Sequence, residues 1–151
     1  MKINSDLLIG DTNKALKNIP FEVGQYAALY YGNQYTFTIT AWAQTVVPFS
    51  GNTSGTNYVY NGYNSFERNG NYIKCKFDGS VLILRYFAMN ETSELDLIDT
   101  FGWETNTGAR QASGIEVRPV SNGTNISLTF ASGYGGEITS YGARLIVIRL
   151  T

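Results

Sequence analysis

A chain of 151 residues that is 43% hydrophobic and 15% charged is long enough to close one core and too apolar to remain disordered, and its short apolar runs exclude a membrane span. A net charge of −1, with Lys and Arg scattered, leaves no basic field to attract nucleic acid or an anionic membrane, and no membrane insertion is expected. The absence of histidine and the single cysteine exclude Ser-His-Asp and Cys-His catalysis and the commonest transition-metal sites, so no catalytic residue, metal or cofactor is expected.

In chain order, residues 1–20 form a lead-in and residues 21–151 a head domain. Met1 to Asp6 lacks the apolar stretch of a signal peptide, which implies synthesis in a cytoplasm without ordinary export. Leu7-Leu8-Ile9-Gly10 is a short apolar run. Asp11 or Thr12 then caps a turn of helix through Leu16 and Ile19, ended by Pro20. Such a segment is too short to fold alone and is expected to dock on the domain or on a partner chain.

Tyr35 to Val46 is the clearest strand. Tyr35, Phe37, Ile39, Ala41 and Ala43 alternate with Thr36, Thr38, Thr40, Trp42 and Gln44. Trp42 is assigned to the core or an interface. Residues 51–71 are rich in Asn and Gly and predict loops with brief strands, with hairpin-type turns at Asn61-Gly62 and Asn69-Gly70. Tyr72 to Phe77, the Asp78-Gly79 turn and Val81 to Phe87 predict a hairpin, with Cys75 a small buried side chain.

Residues 89–112 are polar and acidic, with an apolar piece at Leu95, Leu97 and Ile98. Ile115 to Arg118 predicts a brief strand before Pro119. Ile126 to Phe130 alternates, a Gly-rich loop covers 133–136, and Tyr141 to Leu150 is the last strand. Strands about ten residues apart, separated by Asn-Gly and Gly loops, predict an all-β, antiparallel β-sandwich, jelly roll or barrel. Val81 to Leu84 and Leu145 to Ile148 are apolar on both faces. In a lone sandwich one face would meet water, so either a loop or the lead-in covers it, or a second subunit does. The oligomer is the expectation, with Val81, Ile83, Ile146 and Ile148 at its interface.

Phe66, Gly70 and Tyr72, followed by the strand to Phe77 and the apolar strand Val81 to Phe87, resemble the C1q/TNF-like jelly roll. Ile126 to Phe130 and Ser140 to Val147 are similar to that family's closing strands. The opening MKINSDLLIGDTNKALKNI looks like the start of small structural proteins of phages and prophages of Gram-positive bacteria. The resemblance implies a homotrimeric head of a phage tail or tail fibre, a virion component released by lysis. It also implies a host-surface glycan as ligand, and other tail or baseplate proteins held through residues 1–20.

Aromatics in polar, Gly-rich segments are the candidate saccharide-binding residues: Tyr58, Tyr60, Tyr63, Trp103, Tyr134 and Tyr141. Rings stack on sugar C–H faces while amides satisfy hydroxyls; ordinary packing at loop bases is the alternative. Glu91, Glu94, Asp96, Asp99 and Glu104 read as a solvated acidic loop, a calcium site or a glycosidase pair. Three further functions stand beside the adhesin: a carbohydrate-binding module of an enzyme, a depolymerase, and a purely structural virion component.

Overall fold

A computed structural model describes residues 23–62, 64–98 and 109–151. The predicted lead-in at 1–20, Tyr63, Trp103, Asp99 and Glu104 lie outside the described residues. In chain order the strands are β1 Tyr26–Tyr31, β2 Tyr35–Ile39, β3 Thr45–Val46, β4 Asn57–Tyr60, β5 Phe66–Asn69 and β6 Tyr72–Cys75, then β7 Gly79–Ser93, β8 Leu95–Leu97, β9 Ala109–Val120, β10 Asn125–Ile126, β11 Thr129–Ser132 and β12 Gly136–Arg149. Every pairing is antiparallel.

One sheet runs β4-β1-β12-β7-β9, with β2 paired to the first half of β12. Two short sheets, β10-β6-β5 and β3-β11-β8, oppose it. Residues 125–132 join them, since β10 lies on β6 and β11 on β8. The chain therefore alternates between layers: β1 in the first, β5 and β6 in the second, β7 back, β8 across, β9 back, β10 and β11 across, β12 home. That exchange, with β1 beside β12, is jelly-roll connectivity, and the fold is the expected all-β antiparallel sandwich.

The alternation of each strand fills the space between layers. Ala27, Leu29 and Tyr31, Val81, Ile83 and Phe87, and Leu145 and Val147 point inward from the large sheet. Ile73, Cys75, Ile126, Leu128 and Phe130 meet them from the other side. Phe87 and Phe130 stack with centroids 4.2 Å apart. Cys75 is a buried free thiol, as its setting in an alternating strand implied.

Several elements differ from expectation. The hairpin predicted across Asp78-Gly79 does not form: β6 pairs with β5 and β10, and β7 with β12 and β9. Both runs send apolar side chains inward, so they face each other across the core instead of lying side by side. The Asn69-Gly70 turn does close a hairpin, β5 to β6, with Gly70 at φ +61°, a left-handed conformation that glycine adopts without strain. The strand predicted over 35–46 breaks after Ile39. β9 continues through Pro119, which pairs with Ser80. The missing N–H is tolerated because β9 closes the described sheet as an edge strand.

Burial also sets an alkaline limit. The Tyr31 hydroxyl donates to Ser140 Oγ at 2.8 Å, and Ser140 donates to the Ala88 carbonyl at 2.9 Å. Desolvation pushes Tyr31 and Tyr58 from 10.0 up to about 12 and the Cys75 thiol from 9.0 up to about 11. Each group binds its proton more tightly when folded. The stability it lends is full below its unfolded pKa and is lost as pH rises through the folded one. The melting temperature is expected to fall from about pH 9 towards pH 12, and in Cys75→Ala to begin falling nearer pH 10. Equal onsets in the two proteins would contradict the contribution of the thiol.

Candidate functional site

Two surfaces stand out. The first is the outer face of the large sheet. On β12, Leu145 and Val147 point into the core, so Arg144, Ile146 and Ile148 point out. Register carries this face across five strands. Val59, Ala28, Ile146, Leu84 and Ile115 form one row, and Tyr26, Ile148, Leu82 and Val117 form the next. A third row is Asn57, Tyr30, Arg144, Tyr86 and Ser113.

The face is not uniform. Tyr26, Ala28, Tyr30, Val59, Arg144 and Ile146 line a groove of about 300 Å³ over β4, β1 and β12. At the other edge, on β9, Ile115 and Val117 stand 51% and 55% exposed. At about 4.8 Å between strands and 6.8 Å between rows, the two apolar rows cover on the order of 300 Å². That matches the largest apolar patches on ordinary monomers, which are often binding surfaces.

The structure corrects half of the expected interface. Val81 and Ile83 have no exposed surface within the single chain. They fill its core and are unavailable to a neighbour. Their outward companions Leu82 and Leu84 lie beside Ile146 and Ile148, and all four are half-buried in the single chain. The brief strand predicted over Ile115 to Arg118 is the later part of a longer β9, and in it Ile115 and Val117 face outward while Glu116 and Arg118 face inward. Glu116 accepts from Arg85 Nη1 at 2.8 Å and from Arg118 Nε at 2.7 Å inside the sandwich, which turns the two aliphatic side chains to solvent.

The second surface is a loop end. Trp42, expected in the core or an interface, is 58% exposed on the 40–44 loop, with φ of 62°. It is the single non-glycine residue with positive φ among the described residues. For a bulky side chain this conformation costs about 1–3 kcal/mol and persists only where neighbours impose it. They do so here: the Trp42 N–H donates to the Ser132 carbonyl at 2.7 Å. The indole crosses Gly133, where a Cβ would fall 2.9 Å from Trp42 Cζ2. Gly133 N–H donates to the Glu94 carbonyl at 3.1 Å. Loop 40–44, the β11–β12 connection and the end of β7 thus converge beneath one exposed indole.

The four described sequence-derived aromatics, Tyr58, Tyr60, Tyr134 and Tyr141, lie on three different elements. Tyr134 sits in the β11–β12 loop near Trp42 and packs partly against the core. Tyr58 and Tyr60 stack at 5.2 Å on edge strand β4, with Tyr58 Oη buried and Tyr60 exposed. Tyr141 is exposed at the bulge of β12 between Ser140 and Gly142. Of the acidic window, Glu91, Glu94 and Asp96 are described; among the described residues no three His, Cys, Asp or Glu side chains group to hold a metal.

No known family pattern and no curated protein matches the chain. Among solved structures it is similar to the Eiger TNF from S. frugiperda, with a TM-score of 0.43 and 11% identity over 85% of this chain and 94% of that one. It is also similar to the PRD1 vertex protein P5, with a TM-score of 0.40 and 14% identity over 85% of this chain and 99% of that one. The jelly-roll assignment rests on the strand order of the chain itself. No helix among the described residues is long and apolar enough to cross a membrane.

Proposed function

We propose that this chain is the homotrimeric head of a phage tail or tail-fibre protein, attaching the virion to a host-surface saccharide through its loop end. The observation that carries the assembly is the apolar outer face of the large sheet. That face offers a groove at one edge and a ridge at the other. A contact seating the ridge of one copy in the groove of the next joins two different patches. It is heterologous, and the smallest ring that closes such contacts has three members. The phage setting comes from the sequence resemblance.

The loop end supports the binding role. A strained, exposed indole flanked by a half-buried tyrosine and Gly-rich backbone suits stacking on a sugar. Three copies make weak single sites avid on a cell. Light scattering at micromolar concentration is expected to give three times the chain mass, and labelled protein to bind host cells. Trp42→Gly is expected to abolish cell binding while leaving the trimer intact. It should hold or raise stability by up to about 1 kcal/mol, because glycine accepts the positive φ. A monomer would overturn the assembly reading. A trimer that binds no cells or glycans would leave a purely structural virion component.

A further inference from the structure

Resting on the self-assembly reading, we infer that the assembled protein takes up a small inorganic oxyanion of the phosphate or sulfate class at Arg144. Arg144 sits on β12, the middle strand of the five that make the apolar face, between Tyr30 and Tyr86 in register. It is exposed in the single chain and lines the apolar groove. Along the rows paired with Tyr26 to Tyr31, the other charged side chains are Arg85 and Glu116, and both point inward and pair with each other. Among the described residues, the outward side of these rows holds one guanidinium and no carboxylate.

A homomeric contact buries this face against itself. The neighbour brings the same residues: Gln111, Ser113, Ile115 and Val117 from β9, or Tyr30 and Tyr86 from the centre. None of these is anionic. Burying an ion without a counter-charge is strongly unfavourable. Cation–π attraction from the flanking tyrosines would offset part of that penalty and supplies no negative charge. The deficit recurs in every copy. A diffusible oxyanion closes it, since a guanidinium binds tetrahedral oxyanions through two parallel hydrogen bonds. Tyrosine hydroxyls, amides and Ser113 are the neutral donors on hand.

The test measures subunit dissociation by sedimentation at constant ionic strength, with inorganic sulfate, and separately phosphate, replacing chloride up to 10 mM. The wild-type assembly is expected to tighten about tenfold or more through linkage to anion binding. Arg144→Leu and Arg144→Gln are expected to assemble without any such response, with Leu the tighter of the two in chloride alone. A wild-type trimer indifferent to both anions overturns this inference and leaves the assembly reading standing. An equal response in the two variants overturns it as well, because a general salting effect would then account for the change. A protein that stays monomeric at every anion concentration overturns both.

Discussion

Glu116→Ala is expected to lower the stability of the folded chain by about 3–5 kcal/mol, the usual result of removing one partner from a buried ion pair. Arg85 Nη1 lies 2.8 Å from Glu116 Oε2, with side-chain exposures of 2% and 11%. Arg85 Nε donates to the Ser127 carbonyl at 3.0 Å, tying β7 to the opposite layer. Arg118 reaches Glu116 with Nε and Nη2 at 2.7 and 3.1 Å. One carboxylate thus serves two guanidiniums, and its loss removes the counter-charge they share, with the Arg85 side chain 2% exposed and that of Arg118 27%. The melting temperature is expected to fall by about 6–20 °C for a domain of this size. Replacing the group together, as Arg85→Met with Glu116→Leu and Arg118→Leu, is expected to restore most of the loss, since apolar substitutes for a whole ionic cluster are often neutral or better. A loss below about 1 kcal/mol in Glu116→Ala would show that water reaches the cluster.

Ile146→Lys is expected to convert the proposed trimer to a folded monomer. Ile146 is the middle of the row Val59, Ala28, Ile146, Leu84, Ile115. In one chain it is half-buried and outward-facing, so a lysine can extend into water and the fold survives. In the assembly each lysine would be enclosed, at a cost of several kcal/mol. A penalty of about 4 kcal/mol per contact weakens it roughly a thousandfold. Val147→Lys makes the contrast. Val147 has no exposed surface in the single chain, and its replacement is expected to unfold the protein. Circular dichroism and light scattering together separate the two outcomes. Ile146→Lys remaining trimeric would move the contact away from this face.

The strand content and the layered antiparallel architecture were legible in period-two patterning and in Asn-Gly turns. Partner choice was less so. The pairing of β6 with β5 in place of β7 depends on which layer each strand joins, and both runs carry the same inward apolar pattern. β1 carries little signal, because Tyr26 to Tyr31 lacks alternation and holds two alanines, which form strands weakly. Parity was the harder problem in the large sheet. A run such as Val81-Leu82-Ile83-Leu84 fits either orientation, and in the fold Val81 and Ile83 share their inward face with the buried Arg85 that follows the run. The same ionic cluster holds Glu116 and Arg118 of β9 inward. At the loop end, Trp42 read as part of a continuous strand because its threonine neighbours kept the alternation. The turn at 40–44 has no Gly or Pro of its own, and the cues lay ninety residues away, in the glycines of the β11–β12 loop.

The place of β12 between β1 and β7 has a consequence for how the molecule is made. The β4–β1 pair and the β7–β9 pair touch β12 on opposite sides and are joined in the large sheet through it alone. During synthesis neither pair can be welded to the other until Gly136 to Arg149 has cleared the ribosome. Until then both flanking strands present open hydrogen-bonding edges, a state prone to pairing with neighbouring nascent chains. With so many contacts spanning nearly the whole chain, closure is expected on the millisecond-to-second scale of high-contact-order β domains. Nascent chains crowded on one polysome are thus most exposed to mispairing just before β12 arrives.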